Sequence, residues 1–216
     1  MKILFISLGC DKNLADSEEM LGLLTGNGHE IVDSEEEADA IVINTCCFIH
    51  DAKEESVNTI LEMAEYKKTG PCKILIVTGC MAQRYKEEIT EEIPEVDAVL
   101  GTTSYGDIVK ALNEAEAGHV FQEFKDINAL PEDSGRRVIT TGGHFGYLKI
   151  AEGCDKHCTY CIIPSLRGKF RSVPEERLLK QAEYMASQGV RELILVAQET
   201  TVYGTDPVSY THLRAH

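Results

Sequence analysis

Three cysteines fall within eight residues in Gly153-Cys154-Asp155-Lys156-His157-Cys158-Thr159-Tyr160-Cys161, spaced C-x3-C-x2-C. Thiolates bind soft metals, and four of them complete a structural zinc site or fill the corners of an iron–sulfur cube. Three so close together leave one corner of a cube uncovered. An uncovered iron can bind a substrate or cofactor, so the spacing reads as a reactive site. Two plainer readings stand beside it. One is a zinc knuckle completed by a distant fourth ligand, with His157 as a candidate. The other is reduced cysteines without a role.

Three further cysteines, Cys10, Cys46 and Cys80, each follow directly on an apolar run that reads as a strand. The N-terminal half predicts strands over 2–8, 29–32, 40–44, 72–78 and 96–100. Helices are expected between them: one capped by Asp16 or Ser17 and running to Thr25, then 53–67, 83–91 and 105–116. Strands alternating with helices imply βαβ units and a parallel sheet covered on both faces. In such a doubly wound α/β sheet the C-terminal strand ends lie along one edge, where these folds bind ligands. Cys10, Cys46 and Cys80 are therefore expected to converge as a second three-cysteine site. Three small buried hydrophobes is the plainer reading. Cys47 competes with Cys46, which is preferred because it comes first after its strand. Cys72 begins its strand, at the opposite edge, and reads as structural.

Residues 118–145 read as a linker, interrupted by Pro131, Ser134, Gly135, Gly142 and Gly143. A strand over 146–151 then delivers the Cys154 loop. A helix from Pro174 to about Ser187, stopped by Gly189, and a strand over 192–197 follow. That is the opening of a (β/α) barrel, which places its chemistry at the ends of its strands. The expected division is an N-terminal domain over 1–117, the linker, the first part of a barrel over 146–206, and a foreign or irregular tail over 207–216. With only about two barrel strands, the barrel is expected to be truncated and this chain alone inactive.

The net charge of −15 argues against a general field that attracts phosphate backbones. Eight cysteines with no signal peptide and no transmembrane run point to a reducing cytoplasm and no membrane. The acidic run Asp33 to Glu37 reads as a solvated turn.

The motifs resemble those of the methylthiotransferases, a radical S-adenosylmethionine (SAM) family. Leu8-Gly9-Cys10-Asp11-Lys12-Asn13, Asn44-Thr45-Cys46 and Thr78-Gly79-Cys80 match the N-terminal domain of that family. Gly146 to Cys161 and Ile163-Pro164-Ser165-Leu166-Arg167-Gly168 match its catalytic domain. The Asp11-Lys12-Asn13 segment and Ile162-Ile163-Pro164-Ser165 lean to the RimO type, which modifies a ribosomal protein. The alternative is the MiaB type, which modifies tRNA adenosine; a non-catalytic iron–sulfur or zinc binding fragment is the other.

The resemblance implies a [4Fe-4S] cluster on Cys154, Cys158 and Cys161 that binds SAM and yields a 5′-deoxyadenosyl radical. It implies a second [4Fe-4S] cluster on Cys10, Cys46 and Cys80 that carries the sulfur. The target is the β-carbon of an aspartate in small-subunit ribosomal protein S-twelve. Implied partners are an electron donor such as flavodoxin or ferredoxin and a sulfur donor. Tyr160 is a candidate for packing near adenine, with local packing as its alternative. Gln198 and Glu199 are candidate SAM contacts, or else a solvated strand end. Arg167 is a candidate carboxylate binder, with pairing on the surface the preferred reading.

Overall fold

A computed structural model describes residues 1–132 and 135–206. The tail over 207–216 and Ser134 lie outside the described residues. The first half is a six-stranded parallel sheet: β1 (Lys2–Ser7), β2 (Glu30–Val32), β3 (Ala40–Thr45), β4 (Ile74–Gly79), β5 (Ala98–Leu100) and β6 (Phe121–Glu123). Its spatial order is β2-β1-β3-β4-β5-β6, which confirms the doubly wound α/β class. The sixth strand comes from the stretch read as linker, where Phe121–Glu123 pairs with β5. Three residues are too few to show periodicity, so only the neighbouring strand makes them a strand.

Helices α1 (Asp11–Gly26) and α5 (Ile108–Glu116) cover one face of the sheet. Helices α2 (His50–Thr69), α3 (Cys80–Arg84) and α4 (Lys86–Glu92) cover the other. Both faces are thus apolar. Along β3, Ala40 and Val42 pack with α1 and α5, while Ile41 and Ile43 pack with α2 and α3. That is why the strand reads as a continuous Val/Ile run rather than an alternation. The chain switches faces between β1 and β3, and the register aligns Ser7 with Asn44 and Asn44 with Thr78. The residues just past these ends meet at one edge.

Helix α1 starts at Asp11, five residues before the expected cap. Asp16 and Ser17 are buried inside it and bond to other elements, so they do not cap. Ser17 Oγ lies 2.7 Å from Ser7 Oγ.

The second half holds β7 (Phe145–Lys149), β8 (Ala151–Glu152), α6 (Ile163–Arg167), β9 (Arg171–Ser172), α7 (Glu175–Ser187) and β10 (Glu192–Val196). β7 and β10 pair in parallel around α7, and β8 pairs antiparallel with β9. Leu148, Ile150, Val173, Leu178, Met185 and Val190 form its core. Among the described residues β10 pairs only with β7, and Leu193, Ile194 and Leu195 on it are exposed. Among the described residues no helix is long and apolar enough to cross a membrane.

Candidate metal centre

Cys10 occupies the N-cap of α1, Cys46 follows the last residue of β3, and Cys80 opens α3. The turns that deliver them are tight. Gly9 and Gly79 sit at φ +95° and +94°, a region that side-chain-bearing residues avoid. A Cβ on Gly9 would lie 2.7 Å from Cys46 Cβ, and one on Gly79 would lie 2.3 Å from Asn44 Oδ1. Glycine lets these strand ends close up around the thiols.

Asn13, in the first turns of α1, ties the three ends together. Its Nδ2 donates to Leu8 O at 3.0 Å and to Thr45 O at 2.9 Å. Its Oδ1 accepts a long bond from Cys80 Sγ at 3.8 Å. Asn44 Nδ2 in turn donates to Asn13 O and to Ser17 Oγ, both at 2.9 Å. Ser56 on α2 pins Cys46: its hydroxyl donates to Cys46 O at 2.7 Å and accepts from Cys46 N at 3.0 Å. The expected convergence of Cys10, Cys46 and Cys80 at one edge is what the topology delivers. Cys10 is exposed, and Cys46 and Cys80 are buried.

Cys47 is a different kind of thiol. It is buried and donates to Cys80 O at 3.3 Å. Burial, and then the neighbouring Cys80 thiol, push its pKa up to about 12, so it stays protonated. Cys72 is buried before β4 and donates to Ile74 O at 3.3 Å.

The second triad leaves β8. Gly153 has φ +69°, and a Cβ there would meet Lys169 O at 2.1 Å. Cys154 N donates to Gly168 O at 3.1 Å, Lys156 N donates to Cys154 Sγ at 3.4 Å, and Cys161 N donates to Cys158 O at 3.0 Å. Cys154 and Cys161 are half-buried and Cys158 is exposed. Tyr160 is 87% exposed, which removes local packing as its role. Glu199 pairs with Lys156 of the cysteine loop and accepts from Thr201. Those hydrogen bonds, Lys156 first, bring its pKa down to about 2, and the same partner raises that of Lys156. Lys156 and Glu199 face an open cavity of about 510 Å³ also lined by Cys154, Phe170 and Asp206. Gln198 is half-buried and does not line it.

Among the described residues no three His, Cys, Asp or Glu side chains close on a point as the ligands of a single ion do. A cube binds its thiolates at separate corners, so its donors stand further apart. Three thiols at each of two edges, held in turns a side chain would block, fit such a group.

Helix α6 was not visible in the sequence, and it joins the two triads. It starts two residues after Cys161 and packs on α3, with Leu166 in the same core as Cys47, Cys80 and Met81. Thr102 Oγ1 donates to Leu166 O at 2.7 Å. Arg167, expected on the surface, is only 3% exposed. Its Nη1 donates to Asp16 Oδ2 at 2.7 Å and lies 3.5 Å from Glu152 Oε2, while Nη2 donates to Asn13 Oδ1 at 2.5 Å. Lys149 Nζ pairs with both Asp16 and Glu152. Two acids and two bases thus alternate in a closed, buried and neutral ring. Burial opposes the charge on Arg167, but Asp16, Cys80 and Glu152 outweigh it and its pKa rises. The stretch over 135–145 is tied in as well: Arg137 Nε donates to Glu18 Oε2 at 2.8 Å, and Thr140 N to Glu18 Oε1 at 2.7 Å.

Residues 2–101 match the family described as Uncharacterized protein family UPF0004, and residues 148–215 match the Radical SAM superfamily. The chain is 66% identical over 206 residues to a protein of Lachnoclostridium phytofermentans named ribosomal protein uS12 methylthiotransferase RimO; 95% of this chain and 47% of the relative are covered. A protein of the same name from Clostridioides difficile is 51% identical, with 95% of this chain and 46% of the relative covered. One from Acetivibrio thermocellus is 50% identical, with 95% and 47% covered. The chain spans about half the length of the curated relatives it matches. In the order of its two matched segments and in these identities, the chain is similar to the RimO-like radical SAM methylthiotransferases over about half of their length.

Proposed function

We propose that the protein is a radical SAM methylthiotransferase that inserts sulfur and a methyl group at an unactivated C–H of ribosomal protein uS12, at the β-carbon of an aspartate. Cys154, Cys158 and Cys161 hold one [4Fe-4S] cluster, and Cys10, Cys46 and Cys80 hold a second. When bound, these groups and SAM supply the electron, the radical and the sulfur that no side chain can supply. The chain's own residues position them. Gly9, Gly79 and Gly153 bring the backbone close, Asn13 holds the N-terminal strand ends, and Lys156 N donates to Cys154 Sγ. Glu199 and Lys156, paired with each other, line the cavity beside Cys154, where Glu199 is the candidate SAM contact. The proposed domain division keeps 1–117 and 146–206 as the two cluster-bearing parts, in a cytoplasmic enzyme served by separate electron and sulfur donors.

The observation that carries this reading is α6. It leaves one triad at Cys161 and packs on the helix opened by Cys80 of the other. Groups that would supply a radical at one site and sulfur at the other would have to stand close, and α6 ties the loop of Cys161 to the helix of Cys80. The names of the relatives favour uS12 over tRNA.

Anaerobic reconstitution of the full-length protein tests it, with about eight irons per chain expected, four for each cluster. Replacing Cys158 with Ala is expected to abolish 5′-deoxyadenosine formation; near-normal formation sinks the assignment. A Cys10/Cys46/Cys80→Ala variant is expected to lose half its iron, still cleave SAM, and form no methylthiolated product. Unchanged iron and product in that variant defeat the two-cluster reading.

A further inference from the structure

The guanidinium of Arg167 works in two directions. Nη1 belongs to the neutral ring with Asp16, Glu152 and Lys149. Nη2 points away from the ring, to Asn13 Oδ1, the atom that also accepts from Cys80 Sγ. An arginine fork can make both contacts at once because its donors are fixed in a plane. A lysine carries all its donors on one nitrogen and lacks the two separate, fixed directions of the fork. The cation therefore stands beside Cys80, buried from solvent at 3% exposure. It is delivered by α6, which belongs to the segment matched by the Radical SAM superfamily.

A fixed positive charge next to a thiolate-bound group stabilises the form that carries one more electron. Charge, hydrogen bonds and burial around the sulfurs are what tune such groups. The ring sets how much of that charge is felt. Glu152 and Asp16 draw on one end of the fork, and Asn13 and Cys80 see the other.

We propose that Arg167 is a positioning residue for the group held by Cys10, Cys46 and Cys80, fixing Asn13 beside Cys80 and raising the reduction potential at that site from across the interface between the two halves. This rests on the two-cluster reading. It assigns the last arginine of the Ile163–Arg167 helix to the sulfur-carrying site rather than to the SAM site that precedes it in the chain.

The test is a spectroscopically monitored redox titration in the full-length protein, in a Cys154/Cys158/Cys161→Ala background that leaves only the N-terminal group. Arg167→Met paired with Glu152→Gln keeps the ring neutral and removes the cation. The expected result is a shift to more negative potential. Glu152→Gln alone leaves Arg167 less compensated and is expected to shift the potential the other way. Because it keeps the arginine in place, it also serves if the double variant fails to fold. Arg167→Lys keeps the charge but loses the fork; it is expected to hold the potential closer to wild type and to release iron to a chelator faster. In the complementary Cys10/Cys46/Cys80→Ala background the same changes are expected to shift the potential less. No shift in either Glu152→Gln or the double variant, or a larger shift in the complementary background, overturns the proposal. Wild-type protein with only about four irons, one cluster's worth, overturns the two-cluster reading instead, so the two failures are distinguishable.

Discussion

Glycine 79 shows what a single residue has to do at this edge. Its backbone sits at φ 94° and ψ −159°, a conformation that is essentially glycine's alone. A methyl group there would also meet Thr45 O at 2.5 Å as well as Asn44 Oδ1. Gly79→Ala is therefore expected to cost about 3 kcal/mol or more, strain and overpacking together. Urea unfolding measures it, and a loss under ~1 kcal/mol shows that the turn relaxes. The Gly-Cys pairs at 9–10, 79–80 and 153–154 were legible in the sequence, and so were Cys10, Cys46 and Cys80 at strand ends and the three cysteines of the 154–161 loop. Arg167 was not. A charged residue between Leu and Gly reads as solvated by default, since arginine is rarely buried without a partner. Its partners Asp16 and Asn13 lie more than a hundred residues away in the chain, where no local pattern points to them.

Helix α1 carries the chemistry of burial at the level of an element. Asn13, Asp16, Ser17, Glu18 and Glu19 are all buried, so its polar residues face partners instead of water. This is why its start was misplaced: Asp16 and Ser17 look like caps and are spent on the interface. The acids on it and near it titrate in opposite senses. Glu152 is opposed by burial but held to about 2 by Lys149 and Arg167. Its folded pKa lies below the unfolded one, so its contribution is present above about pH 4.5 and is lost as pH falls toward 2. Glu19 is raised, by burial first, although Tyr105 Oη donates to it at 3.1 Å. Its contribution is full at low pH and is lost as pH rises through its folded pKa. Glu19→Gln is therefore expected to raise the melting temperature at pH 8 while changing it little at pH 4. Scanning calorimetry at the two pH values checks it, and an equal change at both refutes the assignment.

For the molecule as a whole, the ring around Arg167 decides how the halves are held. Removing one member of a buried pair leaves an uncompensated charge and costs about 3–5 kcal/mol. An exposed pair such as Lys68 with Glu65 contributes little, because water and salt screen it. Lys149→Met is thus expected to destabilise several-fold more than Lys68→Met in denaturant titrations, and comparable losses exclude the ring as the main tie. The doubly wound sheet was readable because its buried strands are continuous Val/Ile runs. The short strands β6, β8 and β9 and the helix α6 were not, because each is defined by what it docks on. The free side of β10 has a practical outcome in colloidal terms. Among the described residues it offers backbone without a second strand partner beside Leu193, Ile194 and Leu195, a template for edge-to-edge association. What keeps such chains apart at neutral pH is mutual repulsion from a net charge of −15. Acidification discharges the carboxylates and takes that repulsion away. Light scattering is expected to rise steeply near charge neutrality and to be suppressed by Leu195→Lys, so that the shelf life of the chain in solution is set by one strand edge.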